Sequence, residues 1–215
     1  MKSVLIIGLG RFGRHISKRL SQMDHEVLAV DKIESRVDAA LPYVTNAQIG
    51  DSTNLEFLES LGVRDFDVCI VTIAEDFQSS LITTAYLKEL GAKKVVSRAN
   101  RDVHEKFLLR NGADDVIYPE KQLASWTAIK YTADNISDYI DLGEGCAMIE
   151  VVVPEHWAGK TLADLNIRKK YNLNIVATKE NGKMNLSVDP YSELSQNEII
   201  VVMGTIKDLK KCFKL

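Results

Sequence analysis

Three glycines near the N-terminus, Gly8, Gly10 and Gly13, form the pattern G-x-G-x-x-G between an apolar run, Ser3–Ile7, and a helical one. That placement suits the binding of a diphosphate. The first glycine permits a tight turn, the second lets phosphate approach the backbone, and the third lets helix close on strand, with the phosphates at the helix's positive end. Asp31 lies eighteen residues beyond Gly13 and ends the second apolar run, where a carboxylate accepts hydrogen bonds from both hydroxyls of a ribose. It would also repel a 2′-phosphate, which favours NAD(H), ATP or ADP over NADP(H), although neighbouring Lys32 offsets part of that repulsion.

The ends of the later apolar runs supply further candidates, because ligands of doubly wound sheets sit beyond the carboxyl ends of the strands. Asp51 and Ser52 follow Gly50 after the third run. Asp51 can hydrogen-bond an adenine edge; the alternative is a plain helix N-cap within Asp51-Ser52-Thr53. Thr72, Ile73 and Ala74 follow the fourth run and can pack on base or ribose. Arg11 sits inside the glycine turn beside Phe12, where a guanidinium favours additional phosphate charge, and Arg98 at the end of the fifth run can do the same from the other side. Glu120, after the sixth run, is placed to bind a divalent or sodium cation. Taken singly, each of these three charges is more often an ordinary surface group.

Such residues meet only if the chain folds as an alternating α/β structure. Runs of strand length, Ser3–Ile7, Glu26–Val30, Ala47–Ile49, Val68–Thr72, Val95–Arg98 and Asp115–Ile117, alternate with segments of helix length. This predicts a Rossmann-like, doubly wound parallel sheet with helices on both faces. Gly62, Gly91 and Gly112 stand where helices should end, Thr53 with Glu56 suggests a capping box, and Phe77–Leu90 is expected to be the longest amphipathic helix of this region. A further helix is predicted from Glu120 to about Tyr139, before Gly143-Glu144-Gly145. The pattern then changes, placing a domain boundary near residue 140 and dividing the chain into 1–140 and 141–215. The second domain reads as a smaller α+β unit, with strands Met148–Val153, Asn174–Lys179, Met184–Val188 and Ile199–Gly204, a short helix near Leu162–Asn166 and a last one carrying Leu209 and Phe213. Asn181-Gly182 between two of those strands is a hairpin signal.

Composition narrows the function classes. With 27 basic and 30 acidic residues intermixed, the chain lacks the basic footprint of a nucleic-acid binder. No apolar run approaches the roughly 18 residues that a membrane span needs, and Met1-Lys2-Ser3 leads straight into a strand, so a cytosolic protein is expected. Cys69, Cys146 and Cys212 are far apart and ungrouped with histidine, which argues against disulfides and zinc.

The run Gly8-Leu9-Gly10-Arg11-Phe12-Gly13, with Asp31, Ile49-Gly50-Asp51-Ser52-Thr53 and the stretch from Gly112 through Tyr118-Pro119-Glu120, resembles the RCK (regulator of K+ conductance) family, and within it the Trk/Ktr-type subunits. Gly159-Lys160-Thr161-Leu162 resembles the family's C-terminal domain. The resemblance implies a non-enzymatic regulatory protein of the cytoplasm, peripheral to the membrane, that dimerises through a crossover helix and assembles into an octameric ring. The ring would couple ATP, ADP or NAD(H) at the glycine turn to a membrane-embedded potassium channel or transporter subunit, with Arg11 reaching a terminal phosphate and Arg98 and Glu120 at positions of phosphate and cation binding. It further implies a second effector, cyclic di-AMP, at Ile167, Arg168, Asn174, Ile175, Val176 and Pro190, where arginine would pair with phosphate. Asn174 can equally start a strand, and Arg168 can be a solvated charge.

A small NAD-dependent dehydrogenase is the alternative from another class. It would need catalytic groups that the sequence does not offer. Tyr86, Tyr131, Tyr139 and Tyr191 all lack a lysine four residues on, and His15, His25, His104 and His156 supply no obvious general base, His25 and His104 lying in polar helix flanks. Ala158-Gly159-Lys160-Thr161 imitates the end of a P-loop, but Pro154 stands where its first glycine belongs. A redox-sensing repressor would require a winged-helix module and a basic face, and neither is visible.

Overall fold

A computed structural model describes residues 1–132 and 135–213. By their internal contacts they form two compact units, Met1–Lys121 and Gln122–Leu215.

In the first unit the strands are β1 (Ser3–Ile7), β2 (Glu26–Asp31), β3 (Asn46–Ile49), β4 (Val68–Val71), β5 (Val95–Arg98) and β6 (Asp115–Ile117). Between them run helices α1 (Arg11–Gln22), α2 (Glu34–Asp38), α3 (Leu55–Ser60), α4 (Phe77–Glu89) and α5 (Asp102–Arg110). All strand pairs are parallel, in the order β3-β2-β1-β4-β5-β6. The order reverses at β1 and β4, and a crevice opens at such a switch point. Leu5, Ile6 and Ile7 of the central strand are 1% exposed or less, as a strand covered on both faces requires. Gly62, Gly91 and Gly112 have φ of +66°, +84° and +97°, the left-handed conformation that ends a helix.

Two local readings change. The α3 cap is Asn54, whose side chain accepts the Phe57 amide at 3.2 Å, while Thr53 turns back to bind Asp51. The buried side of α4 is hydroxyl-rich rather than aliphatic. Ser80, Thr83 and Thr84 are fully buried, and Thr83 and Thr84 are satisfied by Ser52 and Ser97, each at 2.8 Å.

Helix α6 (Pro119–Thr132) leads into strands β7 (Ile136–Gly143), β8 (Cys146–Val152), β9 (Asn174–Glu180), β10 (Lys183–Asn185) and β11 (Ile199–Thr205), with helices α7 (Leu162–Leu165), α8 (Ile167–Tyr171) and α9 (Ile206–Phe213). The sheet is antiparallel, in the order β10-β9-β11-β8-β7. β7 replaces the end of the helix expected to reach Tyr139. A bulge between Ile136 and Asp138 puts Ile136 and Tyr139 on one buried face at a spacing of three, which imitates a helix. The compact units divide after Lys121, while the boundary read from the sequence lies near residue 140. Gly143-Glu144-Gly145, all at positive φ, is the β7–β8 hairpin turn. Asn181 and Gly182, at φ +49° and +78°, form the expected two-residue hairpin. Thr161 caps α7 in a capping box with Asp164, so the segment resembling a P-loop is a helix start. None of the described helices is long and apolar enough to cross a membrane.

Candidate nucleotide cleft

The β1–α1 turn is held from beneath. Gly8 takes φ +97° and donates its amide to the Val30 carbonyl at 2.8 Å, and the Thr72 hydroxyl donates to the Gly8 carbonyl. Gly13 stands so close that a Cβ there would lie 2.0 Å from the Gly8 oxygen and 2.7 Å from Thr72 Oγ1. Gly10 differs. A Cβ at this position would meet nothing within 4 Å, so the fold itself does not require glycine, and the open face suits something that approaches from outside. Gly10 also precedes α1 without giving it a side-chain cap, and no acidic residue lies in the first turn. The free amides and positive end of α1 face the crevice.

Asp31, 6% exposed, does more than await a ribose. Its Oδ2 accepts the Leu9 amide of the glycine turn at 2.6 Å and its Oδ1 accepts the Ile33 amide at 2.9 Å, with Arg36 Nη1 3.5 Å from Oδ2. A carboxylate has about four lone-pair directions, so acceptor capacity remains. Ser52 is buried against Thr83. Asp51 holds the Thr53 amide at 2.9 Å and hydroxyl at 2.7 Å, and these bonds, amide first, keep its pKa below the usual carboxylate value, helped by the charge of Lys32. Asp76 caps α4 through the Ser79 amide at 3.0 Å and hydroxyl at 2.7 Å, which lower its pKa likewise.

These elements enclose a cleft of about 890 Å³ lined by Gly8, Gly10, Arg11, Phe12, Asp31, Lys32, Asp51, Ser52, Thr72, Ile73, Ala74, Arg98 and Glu120. Thus every residue singled out in the first unit reaches the cleft, except Gly13, which works from below. The structure adds Arg14, His15, Arg36, Asp76 and Asn100. Arg14 and His15 follow Arg11 by three and four residues, a helical spacing legible in advance; Arg36 and Asn100 carry no such signal.

Charge is unevenly satisfied in this cleft. Asp31, Asp51, Asp76 and Glu120 all have partners within the protein. Among the described residues no hydrogen bond or ion pair engages the Arg11 or Arg14 guanidinium. Arg98 lies over the Phe12 ring at 5.0 Å, pairs with Glu120, and keeps a buried Nε with no hydrogen-bond partner. An anion with several oxygens fits such a set. Glu120 is engaged by Arg98, and no cluster of three or more His, Cys, Asp or Glu side chains occurs among the described residues.

In the second unit, Ile167 packs into the core at 4% exposure, whereas Arg168 on the same helix is exposed. Asn174, Ile175 and Val176 open β9 and are partly buried. The Pro190 carbonyl accepts the Ala163 amide at 2.9 Å.

Fold and cleft together define a Rossmann-like parallel α/β unit, with a candidate nucleotide cleft at its switch point, followed by a small antiparallel α+β unit. The TrkA-N domain family matches residues 4–119 and the TrkA-C domain family residues 147–215. The Ktr system potassium uptake protein C of Bacillus subtilis (strain 168) is 40% identical over 210 residues, covering 98% of this chain and 95% of its own. The GsuK RCK domain crystal structure shares the fold at TM-score 0.69 and 19% identity, over all of this chain and 47% of its own, and the GsuK channel bound to NAD does so at TM-score 0.67 and 19% identity, over 97% of this chain and 38% of its own. This chain therefore spans less than half the length of those solved chains. It belongs to the family defined by the TrkA-N and TrkA-C domains, together with the Ktr potassium uptake proteins.

Proposed function

We propose that this chain is a nucleotide-sensing regulatory subunit of a membrane-embedded potassium channel or transporter. One observation carries the nucleotide reading: at the sheet's switch point, the uncapped amides of α1 and the open face of Gly10 meet the guanidinium groups of Arg11 and Arg14, which no hydrogen bond or ion pair engages among the described residues. ATP, ADP or NAD(H) would place phosphates against Gly10, Arg11 and Arg98, with the ribose hydroxyls on the remaining lone pairs of Asp31. The base or ribose would lie along Asp51, Thr72, Ile73 and Ala74. The GsuK channel solved with NAD supports a nucleotide for this fold, and the potassium assignment follows the Ktr relative. The protein acts without catalysis, at the cytoplasmic side of the membrane, as a homodimer assembled into an octameric ring, and cyclic di-AMP binds its second unit near Arg168 and Asn174.

Calorimetry with ATP, ADP, NAD and NADH tests the first step. Binding that Asp31→Ala weakens at least tenfold is expected, and no binding of any of the four sinks the reading. Steady NADH oxidation with a small carbonyl compound would favour the dehydrogenase instead. Light scattering reads the ring directly. Titration with cyclic di-AMP against Arg168→Ala tests the second site independently of the first.

A further inference from the structure

His104 on α5 is fully buried, yet both its ring nitrogens have polar neighbours. Nδ1 lies 3.2 Å from Asn100 Oδ1, and Nε2 lies 3.2 Å from Ser80 Oγ. Asn100 in turn donates Nδ2 to the Ala74 carbonyl at 2.6 Å. A carbonyl can only accept, so the amide nitrogen must face Ala74 and the amide oxygen must face His104. The proton of the neutral ring therefore resides on Nδ1, and Nε2 accepts from the Ser80 hydroxyl. Burial, and then the charge of Arg101, pushes the His104 pKa below the ordinary histidine value, which keeps the ring neutral at pH 7. Phe77, the first residue of α4, meets the ring edge-on at 4.9 Å, and Arg101 covers Phe77 at 5.2 Å.

Ala74 and Asn100 line the cleft, whereas His104 does not. Its donor connects it to Asn100, and through Asn100 to Ala74. Were that donor lost, the Asn100 oxygen would be left without its partner, and the amide would be free to turn and release the Ala74 carbonyl.

We propose that His104 is a positioning residue for the nucleotide cleft: its Nδ1–H orients the Asn100 amide, which holds the Ala74 carbonyl and sets the β4–α4 loop against which the ligand lies. The inference rests on the nucleotide reading for its ligand, but not for its geometry.

Three substitutions separate this role from simple core filling. The amide nitrogen of Asn can occupy the place of Nδ1, that of Gln the place of Nε2, and Leu supplies volume alone. His104→Asn should keep the Kd for ADP and NAD within about twofold of the wild type, whereas His104→Gln and His104→Leu should each raise it by about five- to tenfold, the worth of one hydrogen bond. Asn100→Leu should weaken binding equally, with no further loss on adding His104→Leu. Affinities that follow side-chain volume, or fall equally in all three variants, overturn the proposal. Nucleotide-free crystal structures should show the Asn100–Ala74 bond kept in His104→Asn and broken in His104→Gln; its survival in the latter also overturns it. In the unaltered protein, nitrogen-15 spectra between pH 6 and 8 should show His104 protonated on Nδ1 alone, and an Nε2–H tautomer refutes the relay without any variant. If the wild type binds none of ATP, ADP, NAD and NADH, the nucleotide reading fails, while the spectra and crystal structures still decide the role of His104.

Discussion

Gly10 and Gly13 occupy neighbouring places in one motif, but their replacement by alanine should have opposite consequences. At Gly13 the new Cβ would stand 2.0 Å from the Gly8 oxygen, where ordinary contact begins at 3.4 Å. The Gly8 peptide cannot retreat easily, because its amide is bonded to Val30 and its carbonyl to Thr72. Opening the α1–β1 contact by more than about 1 Å costs about 2–3 kcal/mol on the scale of an overpacked core, a fall in Tm of roughly 8–12 °C for a unit of this size. At Gly10 the Cβ meets nothing and φ is −62°. Alanine there restricts the unfolded chain and should leave Tm unchanged or raised by a few degrees, since the gain is about 0.4–1 kcal/mol. The same methyl group intrudes where phosphate approaches, so the Kd for ATP or NAD should rise more than tenfold, or about 1.4 kcal/mol. Thermal unfolding without nucleotide and calorimetry with it, on both variants, form the assay. A Gly13→Ala protein melting with the wild type refutes the close approach, and a Gly10→Ala protein binding normally refutes the phosphate seat.

Asp31→Ala should destabilise the nucleotide-free protein by about 1–3 kcal/mol, because the Leu9 and Ile33 amides lose their acceptor; an effect on affinity alone would show the carboxylate to be a ligand group only. The Cys69 thiol, pushed up to about 12 by burial, should resist iodoacetamide at pH 8 until the protein is unfolded, as peptide mass spectrometry can follow. The Trp126 indole donates to Asp138 at 2.9 Å, and that bond, then the Tyr139 amide, lowers the Asp138 pKa. Its contribution is present above the ordinary value of 3.8 and is lost as pH falls through the lowered one; Trp126 emission in a Trp157→Phe background should hold steady to pH 4, and a transition centred above it contradicts the assignment. Glu120→Gln should raise affinity for ATP up to about fivefold by freeing Arg98 and removing a nearby negative charge. A loss of affinity that appears only with added divalent cation would instead assign Glu120 to metal binding.

The cleft's components were legible in the sequence to different degrees. The glycines, Asp31 and the strand ends follow from local pattern, because a parallel strand buried on both faces and a glycine turn leave their marks in consecutive residues. What Asp31 does for the turn was not legible: its bond to Leu9 forms only when β1 and β2 pair. His104 reads in the sequence as part of a polar helix flank, and its burial depends on Ser80 and Phe77 arriving from α4 and on Asn100 from the end of β5. β7 imitates a helix in the sequence for a different reason. A bulge changes the period of burial from two to three, and a helix has nearly that period too.

Binding alone regulates nothing, since a ligand shifts an equilibrium only by its difference in affinity between two states. Most groups lining the cleft are poor sources of such a difference. Asp31, Asp51, Asp76 and Thr72 are each tied to neighbouring backbone or side chains, and so brace the fold as they would contact the ligand. Arg11 and Arg14, unengaged among the described residues, have no bond to exchange, whereas Arg98 has one. Its guanidinium is divided between Phe12, which belongs to the glycine turn, and Glu120, which lies in the first turn of α6, and its buried Nε has no protein partner. A ligand rich in phosphate competes with Glu120 for that one charge, whereas a ligand that ends in an uncharged ring competes less. Nucleotides that share a ribose and a diphosphate would therefore differ chiefly in what they leave for Glu120, and through it for the start of α6. If the Arg98–Glu120 pair carries the distinction, Glu120→Gln should leave every nucleotide bound while narrowing the difference between their affinities, which calorimetry reads.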